Sequence, residues 1–156
     1  HGVFYCLQTF SPGDEIDFRQ VPVCVEASDA ATASLLESVA GSLSANVRRV
    51  DSRQRLGLHL AAVFASNYSN LMYTAAERVL QACGLEISLL QPIIEQTAVK
   101  LRRMPPLKAQ TGPALRRDDS TLEKHRQLLA DLSLPDDYRR LYDELAALIR
   151  RLHPQS

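Results

Sequence analysis

The chain has 156 residues, of which 46% are hydrophobic and 23% are charged, and its formal net charge at neutral pH is zero. These values are typical of one ordinary globular domain, or of one small domain plus part of another, and exclude a disordered chain. Without an excess of basic residues we expect no nucleic-acid partner, and without an apolar run of roughly 18 residues we expect no membrane span. The sequence also lacks a signal-peptide pattern, which predicts a cytoplasmic protein.

The three cysteines, Cys6, Cys24 and Cys83, are an odd set without CxxC spacing. We therefore expect reduced, mostly buried thiols and no disulfide framework, and the sequence shows no metal-ligand cluster. The chain opens on His1 and not on an initiator methionine. This start favours a C-terminal fragment of a longer protein.

The first third of the chain alternates strand and helix signals. Two β-rich runs at 2–9 and 21–26 are separated by turn residues at 11–14, and a third short strand is predicted at 46–50. Between the second and third strands, Ser28 and Asp29 offer an N-cap for a helix over 30–43. The order strand, strand, helix, strand predicts the trailing edge of an α/β domain.

From Asp51 the pattern is helical throughout. Asp51 with Gln54 forms an aspartate version of the capping box, and the pattern then runs to Cys83, where Gly84 supplies a left-handed stop. This helix is apolar on almost every side, which predicts a buried spine, with bends expected near Gly57 or the Ser66/Ser69 pair.

Three further helices are predicted after the spine. The first covers 88–101 with Pro92 in its first turns, the second is capped by Ser120 and Thr121 and runs to Leu132, and the third opens at Pro135 and ends near Leu152. Residues 107–119 are predicted as a loop rich in turn formers. The fold class is therefore mainly α, a multi-helix domain with a long central helix preceded by strands and a helix.

Polar side chains in the middle of the spine are the first candidate site. One helical face carries His59, Ser66 and Asn70. Asn67 lies about 80° from His59 around the helix axis. An imidazole can exchange a proton near neutral pH, and carboxamides can orient a carbonyl or hydroxyl group. The same side chains could instead bond to neighbouring helices and fix the packing.

The segment QTGP with Arg116 is the second candidate. Gly112 and Pro113 restrict the backbone, and Gln110, Thr111 and Arg116 could bind an anionic or carbonyl ligand. An ordinary loop with a solvated charge run is the alternative. His125, on the following helix, favours a surface or capping role over catalysis.

Four segments resemble a family of bacterial proteins that combine an N-terminal Rossmann-like domain with a C-terminal helical domain of unknown function. They are HGVFYCLQTFS at 1–11, CVEAS at 24–28, DSRQRLGLHLAAVFASNYSN at 51–70 and AQTGPALR at 109–116. Members are commonly labelled as NADP oxidoreductases, and the family is related to ketopantoate reductase, 6-phosphogluconate dehydrogenase and pyrroline-5-carboxylate reductase. In ketopantoate-reductase-like members the spine carries a catalytic lysine and asparagines, whose positions fall near His59, Val63 and Asn67.

The resemblance implies that residues 1–50 are the C-terminal remnant of a Rossmann-like nucleotide-binding domain and 51–156 a helical substrate and dimerisation domain. It implies NADP or NAD as cofactor, a small-molecule substrate and a homodimer, although the GxGxxG fingerprint is absent from the sequence. On this hypothesis His59 and Asn67 are catalytic, and the substrate is bound by Ser66, Asn70, Gln110, Thr111 and Arg116. The alternatives are a non-catalytic ligand-binding module and a purely structural dimerisation domain.

Overall fold

The structure, a computed structural model, describes residues 1–154 and divides into two compact units, the first ending at Asn70 and the second beginning at Leu71. The predicted class is confirmed, because a small sheet is followed by helices. The elements are β1 (Gly2–Cys6), β2 (Val23–Ala27), α1 (Ala30–Leu43), β3 (Val47–Arg49), α2 (Ser52–Ala62), a π-helical turn (Val63–Tyr68), α3 (Ser69–Ala82), α4 (Gln91–Lys100), α5 (Pro106–Ala109), α6 (Asp119–Asp131) and α7 (Asp136–Leu152).

The first unit is built on a three-stranded sheet of order β1-β2-β3. β1 pairs antiparallel with β2, so that Tyr5 lies opposite Cys24, and β2 pairs parallel with β3 through the crossover helix α1. The core consists of Val23, Val25 and Ala40, against which Phe4 and Cys6 of β1 are packed. Because side chains alternate along a strand, Tyr5 belongs to the opposite face of the sheet.

Side-chain hydrogen bonds fix the two ends of α1. The Asp29 side chain accepts a hydrogen bond from the Thr32 amide at 2.8 Å, so that Asp29, one of the two residues that the sequence offered, is the N-cap. At the other end Ser44, which is 2% exposed, donates its hydroxyl to the Val21 carbonyl at 2.5 Å and accepts the Asn46 amide at 3.0 Å. The buried hydroxyl thus ties the start of β2 to the turn before β3.

Residues 52–82 form the predicted spine as three consecutive helical segments, and Gly84 ends it with a φ of +73°. The prediction that this spine is buried is wrong, since none of its residues is buried. The cores of the two units are built from other elements, which leaves apolar spine side chains in solvent. The irregularity occurs at the π-helical turn around Ser66, whereas Gly57 lies in regular helix.

The second unit packs around Ala114, Leu122 and Ala146, which bring the 112–118 turns, α6 and α7 together. Two expectations need correction. The N-cap of α6 is Asp118, whose carboxylate accepts the Thr121 amide at 3.0 Å, and not Ser120 or Thr121. The segment 107–119 is not wholly loop, because Pro106 starts the one-turn helix α5.

The cysteines are free, as expected, but only Cys24 is buried, while Cys6 is half-buried and Cys83 is exposed. Burial raises the pKa of the Cys24 thiol, which keeps it protonated at neutral pH. Across the described residues, every helix is too short or too polar to cross a membrane.

Candidate functional site

The start of α2 is fixed against the sheet by a capping box and an ion pair. The Gln54 amide donates to Asp51 at 2.7 Å, and the Gln54 side chain accepts the Asp51 amide at 2.9 Å. Glu26 at the end of β2 accepts hydrogen bonds from Ser52 at 2.5 Å and Arg55 at 3.1 Å. These contacts hold the pKa of the Glu26 carboxyl below its usual range, and the hydrogen bond from Ser52 has the largest effect.

His59 lies one helical turn after Arg55 and contacts strand β1 of the sheet. Its Nδ1 lies 3.3 Å from the Tyr5 hydroxyl, and the two rings form an edge-to-face pair with centroids 6.4 Å apart. Tyr5 is half-buried on β1, whereas His59 is exposed. The imidazole is therefore tethered through one nitrogen.

A cavity of about 470 Å³ lies beside this pair within the first unit. One wall is the end of β1 and the residues after it, from Tyr5 to Thr9, and the other wall is the spine. Ala62 and Ala65 supply little bulk to the spine wall, which leaves room for a ligand. The volume falls in the range of small-molecule sites.

The lining is mostly apolar by area, and it carries no carboxylate, lysine or arginine among the described residues. Its hydrogen-bonding groups are hydroxyls, carboxamides and the imidazole; they belong to Tyr5, Gln8, Thr9, His59, Ser66 and Asn67. Such groups suit a ligand portion that is neutral and that offers both hydrogen-bond donors and acceptors.

The π-helical turn at Val63–Tyr68 presents Ser66 and Asn67 to the cavity. A π turn inserts an extra residue into the helical repeat, and such turns are frequent at functional sites. The π turn also changes the helical repeat between His59 and Asn70. The prediction that these two side chains share one face assumed a regular repeat. Asn70 lies on α3 outside this lining.

Sequence reasoning missed the wall formed by Tyr5, Gln8 and Thr9. Strand alternation was the available signal, because it separates Tyr5 from Phe4 and Cys6 on the core face. The pairing of Tyr5 with a residue 54 positions away could not be read from the sequence.

The QTGP segment, residues 110–113, belongs to the second unit. Gly112 has a φ of +108°, which favours glycine, and Ala114 is buried in the core of that unit. The Gln110 carboxamide donates to the Thr111 carbonyl at 2.9 Å. Thr111 and Arg116 are exposed, so their side chains are accessible to a ligand.

His125 is exposed on α6 and pairs with α7. Its Nδ1 lies 2.7 Å from the Tyr142 hydroxyl, and the neighbouring Arg126 donates to Asp143 at 2.7 Å. These contacts join two helices. His125 therefore packs α6 against α7, a role other than the capping role that the sequence offered.

The model of a family described as a domain of unknown function, DUF2520, matches residues 21–149 of this chain. The chain belongs to the DUF2520 family. No curated protein matches it significantly.

Two solved structures resemble this DUF2520 chain. One is a Bacteroides fragilis protein described as a "putative NADP oxidoreductase", with 41% identity and a TM-score of 0.90 over 96% of this chain and 57% of that chain. The other is a Thermotoga maritima protein with 23% identity and a TM-score of 0.81 over 97% of this chain and 61% of that chain, and it shows the fold alone. The chain thus spans about 57% and 61% of the lengths of these two proteins.

The β2-α1-β3 crossover tests whether this chain fits a dinucleotide. A cavity of 450 Å³ lies at the carboxyl ends of these strands, where α/β sheets commonly bind nucleotides. Its lining carries the carboxylates of Glu26, Asp29 and Asp51, and its Arg49 is paired with a glutamate of α1.

Asp29 is the N-cap of α1. The phosphates of a dinucleotide in this cavity would have to bind at this helix N-terminus. Hydrogen bonds from the Thr32 amide and hydroxyl, together with Ser28, lower the pKa of Asp29 to about 2, so the carboxylate is charged at neutral pH. An anionic pyrophosphate does not fit these residues, and we assign no dinucleotide to this cavity.

Proposed function

We propose that this chain is the substrate-binding and dimerisation part of an oxidoreductase that uses NADP or NAD and acts on a small carbonyl or hydroxy compound. The observation that carries the proposal is the imidazole of His59, tethered to Tyr5 at the edge of an uncharged cavity that also holds hydroxyl and carboxamide groups. The similarity to the Bacteroides fragilis protein supports the redox class.

In this proposal His59 gives a proton to, or takes it from, the substrate oxygen, since imidazole can do both near neutral pH. Asn67 and Ser66 hold the carbonyl or hydroxyl group through hydrogen bonds, whereas Asn70, which lies outside the lining, is not assigned a substrate contact. A neutral reacting group fits the lining because no charged partner is present in its described residues.

Within the second unit by itself, we propose Gln110, Thr111 and Arg116 as ligand-binding residues. The fixed backbone at Gly112 and the exposed Arg116 guanidinium support a role in binding a carbonyl or anionic group. We further propose that residues 1–50 end a Rossmann-like domain and that 51–156 form the substrate domain. The cofactor would then be bound by residues other than those of the β2-α1-β3 cavity.

The test is NADPH oxidation by the full-length protein with pyruvate, glyoxylate and propionaldehyde as probes. We expect His59→Ala to lower kcat by about 100-fold or more, the usual range for a lost general acid or base. His125→Gln is the matched control, because His125 is also an exposed histidine paired with a tyrosine. Equal turnover in wild type and His59→Ala would remove the proposed role.

A non-catalytic binding or dimerisation module is the alternative, and one observation favours a dimerisation role. Leu56, Leu60 and Phe64 recur every four residues along the spine and are 68%, 55% and 62% exposed. A contiguous exposed apolar ridge of this kind marks an interaction surface. We propose a second copy of this chain as its occupant, since the zero net charge gives no repulsion between copies.

Sedimentation equilibrium tests this occupant. Leu60→Glu places a charge on the ridge and is expected to weaken self-association at least tenfold. Leu35→Glu on α1 is the control, because Leu35 is 64% exposed but lies outside the ridge. A monomeric wild type, or a dimer equally stable in both variants, would contradict the proposal.

A further inference from the structure

The phenol of Tyr5 is the polar group that contacts the proposed acid-base residue. Its hydroxyl lies 3.3 Å from Nδ1 of His59, and the ring planes cross at 71°. The pairing of β1 with β2 fixes the Tyr5 backbone opposite Cys24, and the capping box fixes the start of α2. Both partners are therefore held by regular structure.

A neutral imidazole carries one N–H, and the hydrogen bond to one nitrogen decides which nitrogen that is. The Tyr5 oxygen could accept from Nδ1–H, or its O–H could donate to an unprotonated Nδ1. Only the first arrangement persists when the ring is protonated, because both nitrogens of imidazolium are donors. A histidine that cycles between the two states is best held by an acceptor.

No carboxylate competes for this nitrogen among the described residues that line the cavity. Glu26, which lies at the end of β2, is engaged by Ser52 and Arg55. The phenol oxygen is thus the partner that the structure provides for Nδ1 of His59.

We propose that Tyr5 is a positioning residue, whose hydroxyl oxygen accepts a hydrogen bond from Nδ1–H of His59 and leaves Nε2 as the nitrogen that exchanges a proton with the ligand. The inference rests on the proposed acid-base function of His59. Tyr5 lies on β1, 54 positions before the histidine that it orients.

Nitrogen NMR of the imidazole rings in the ¹⁵N-labelled protein tests the assignment without substrate. In neutral His59 we expect Nδ1–H to predominate, and Tyr5→Phe should lower the Nδ1–H to Nε2–H ratio about fivefold, as expected for one lost hydrogen bond. His59→Gln assigns the resonances.

The His125–Tyr142 pair is a matched control within the same molecule, with a shorter contact of 2.7 Å and an interplanar angle of 77°. Tyr142→Phe should change the His125 signals and leave those of His59 unchanged. Tyr5→Phe should do the reverse.

The proposal is overturned if Nε2–H predominates in wild-type His59, a result that requires no variant to fold. It is also overturned if Tyr5→Phe, with unchanged helical content, leaves the His59 tautomer ratio as in wild type. Turnover separates the two proposals: an active His59→Ala protein defeats the catalytic role, while the tautomer ratio still reports on Tyr5. With both roles correct, Tyr5→Phe lowers kcat more than it raises KM.

Discussion

Replacing Ser44 by alanine tests the junction between α1 and β3 in the first unit. The Ser44 hydroxyl is buried; it donates to the Val21 carbonyl at 2.5 Å and accepts the Asn46 amide at 3.0 Å. Val21 is itself 2% exposed, so its carbonyl has little access to water after the substitution. A buried group left without a partner costs about 1–3 kcal/mol.

Asn46 is only half-buried, and water can replace the hydroxyl at its amide. The loss should therefore be close to that of one unsatisfied buried carbonyl, about 2 kcal/mol. A change of this size corresponds to a roughly 30-fold fall in the protection of β2 and β3 amides that exchange through opening of this unit. Hydrogen-exchange mass spectrometry of peptides covering 21–49 measures it.

Ser42→Ala is the matched control. The Ser42 hydroxyl donates to the Val39 carbonyl at 2.7 Å, but Ser42 is exposed, so water can take its place. We expect that variant to stay within about 0.5 kcal/mol of wild type, as for most surface changes. Equal protection in the two variants would show that the buried hydroxyl is not what joins β2 to the turn before β3.

Three further predictions concern stability. Leu122→Ala should cost about 2–5 kcal/mol in urea unfolding because Leu122 is 1% exposed, whereas Leu128→Ala, at a 42% exposed position, should cost below about 1 kcal/mol; similar losses would contradict the assigned core. Gly112→Ala should destabilise the second unit by about 1–3 kcal/mol because of the +108° φ, while Gly57→Ala in α2 should stabilise slightly; thermal unfolding that shifts the same way in both refutes this. The pKa of Asp29 is lowered to about 2 from 3.8, so its contribution to stability is present above about pH 4 and is lost as the pH falls towards 2. Asp29→Asn should remove this part of the dependence of unfolding on acid pH. The same acid dependence in the variant and in wild type would contradict the role of Asp29.

Elements with local signals were predictable from the sequence. The helix over 30–43 and its Asp29 cap, the Asp51–Gln54 capping box and the Gly84 stop are all found where expected. Each of these is decided by residues within a few positions of one another. The cap of α6 was misplaced from Asp118 to Ser120 and Thr121 because several adjacent residues could each serve.

The candidate site was only half predictable for two physical reasons. A uniform helical period placed Ser66, Asn67 and Asn70 near His59, but the π turn changes that period after Val63. The opposite wall comes from β1, and no local pattern reports a contact across the 54 positions between Tyr5 and His59. Sequence alone could therefore nominate His59 but could not supply its partner.

The prediction that the spine is buried was wrong for a related reason. The exposed residues show that α2 has two faces with different proposed roles. Apolar periodicity shows that a face needs cover without showing what covers it. The side chains of Leu60 on the ridge and Ala62 on the cavity wall lie about 160° apart around α2. A charge at Leu60 should therefore alter self-association without altering the His59 tautomer, whereas Tyr5→Phe should do the opposite. A Leu60→Glu protein that changed both would show that the cavity depends on the second copy.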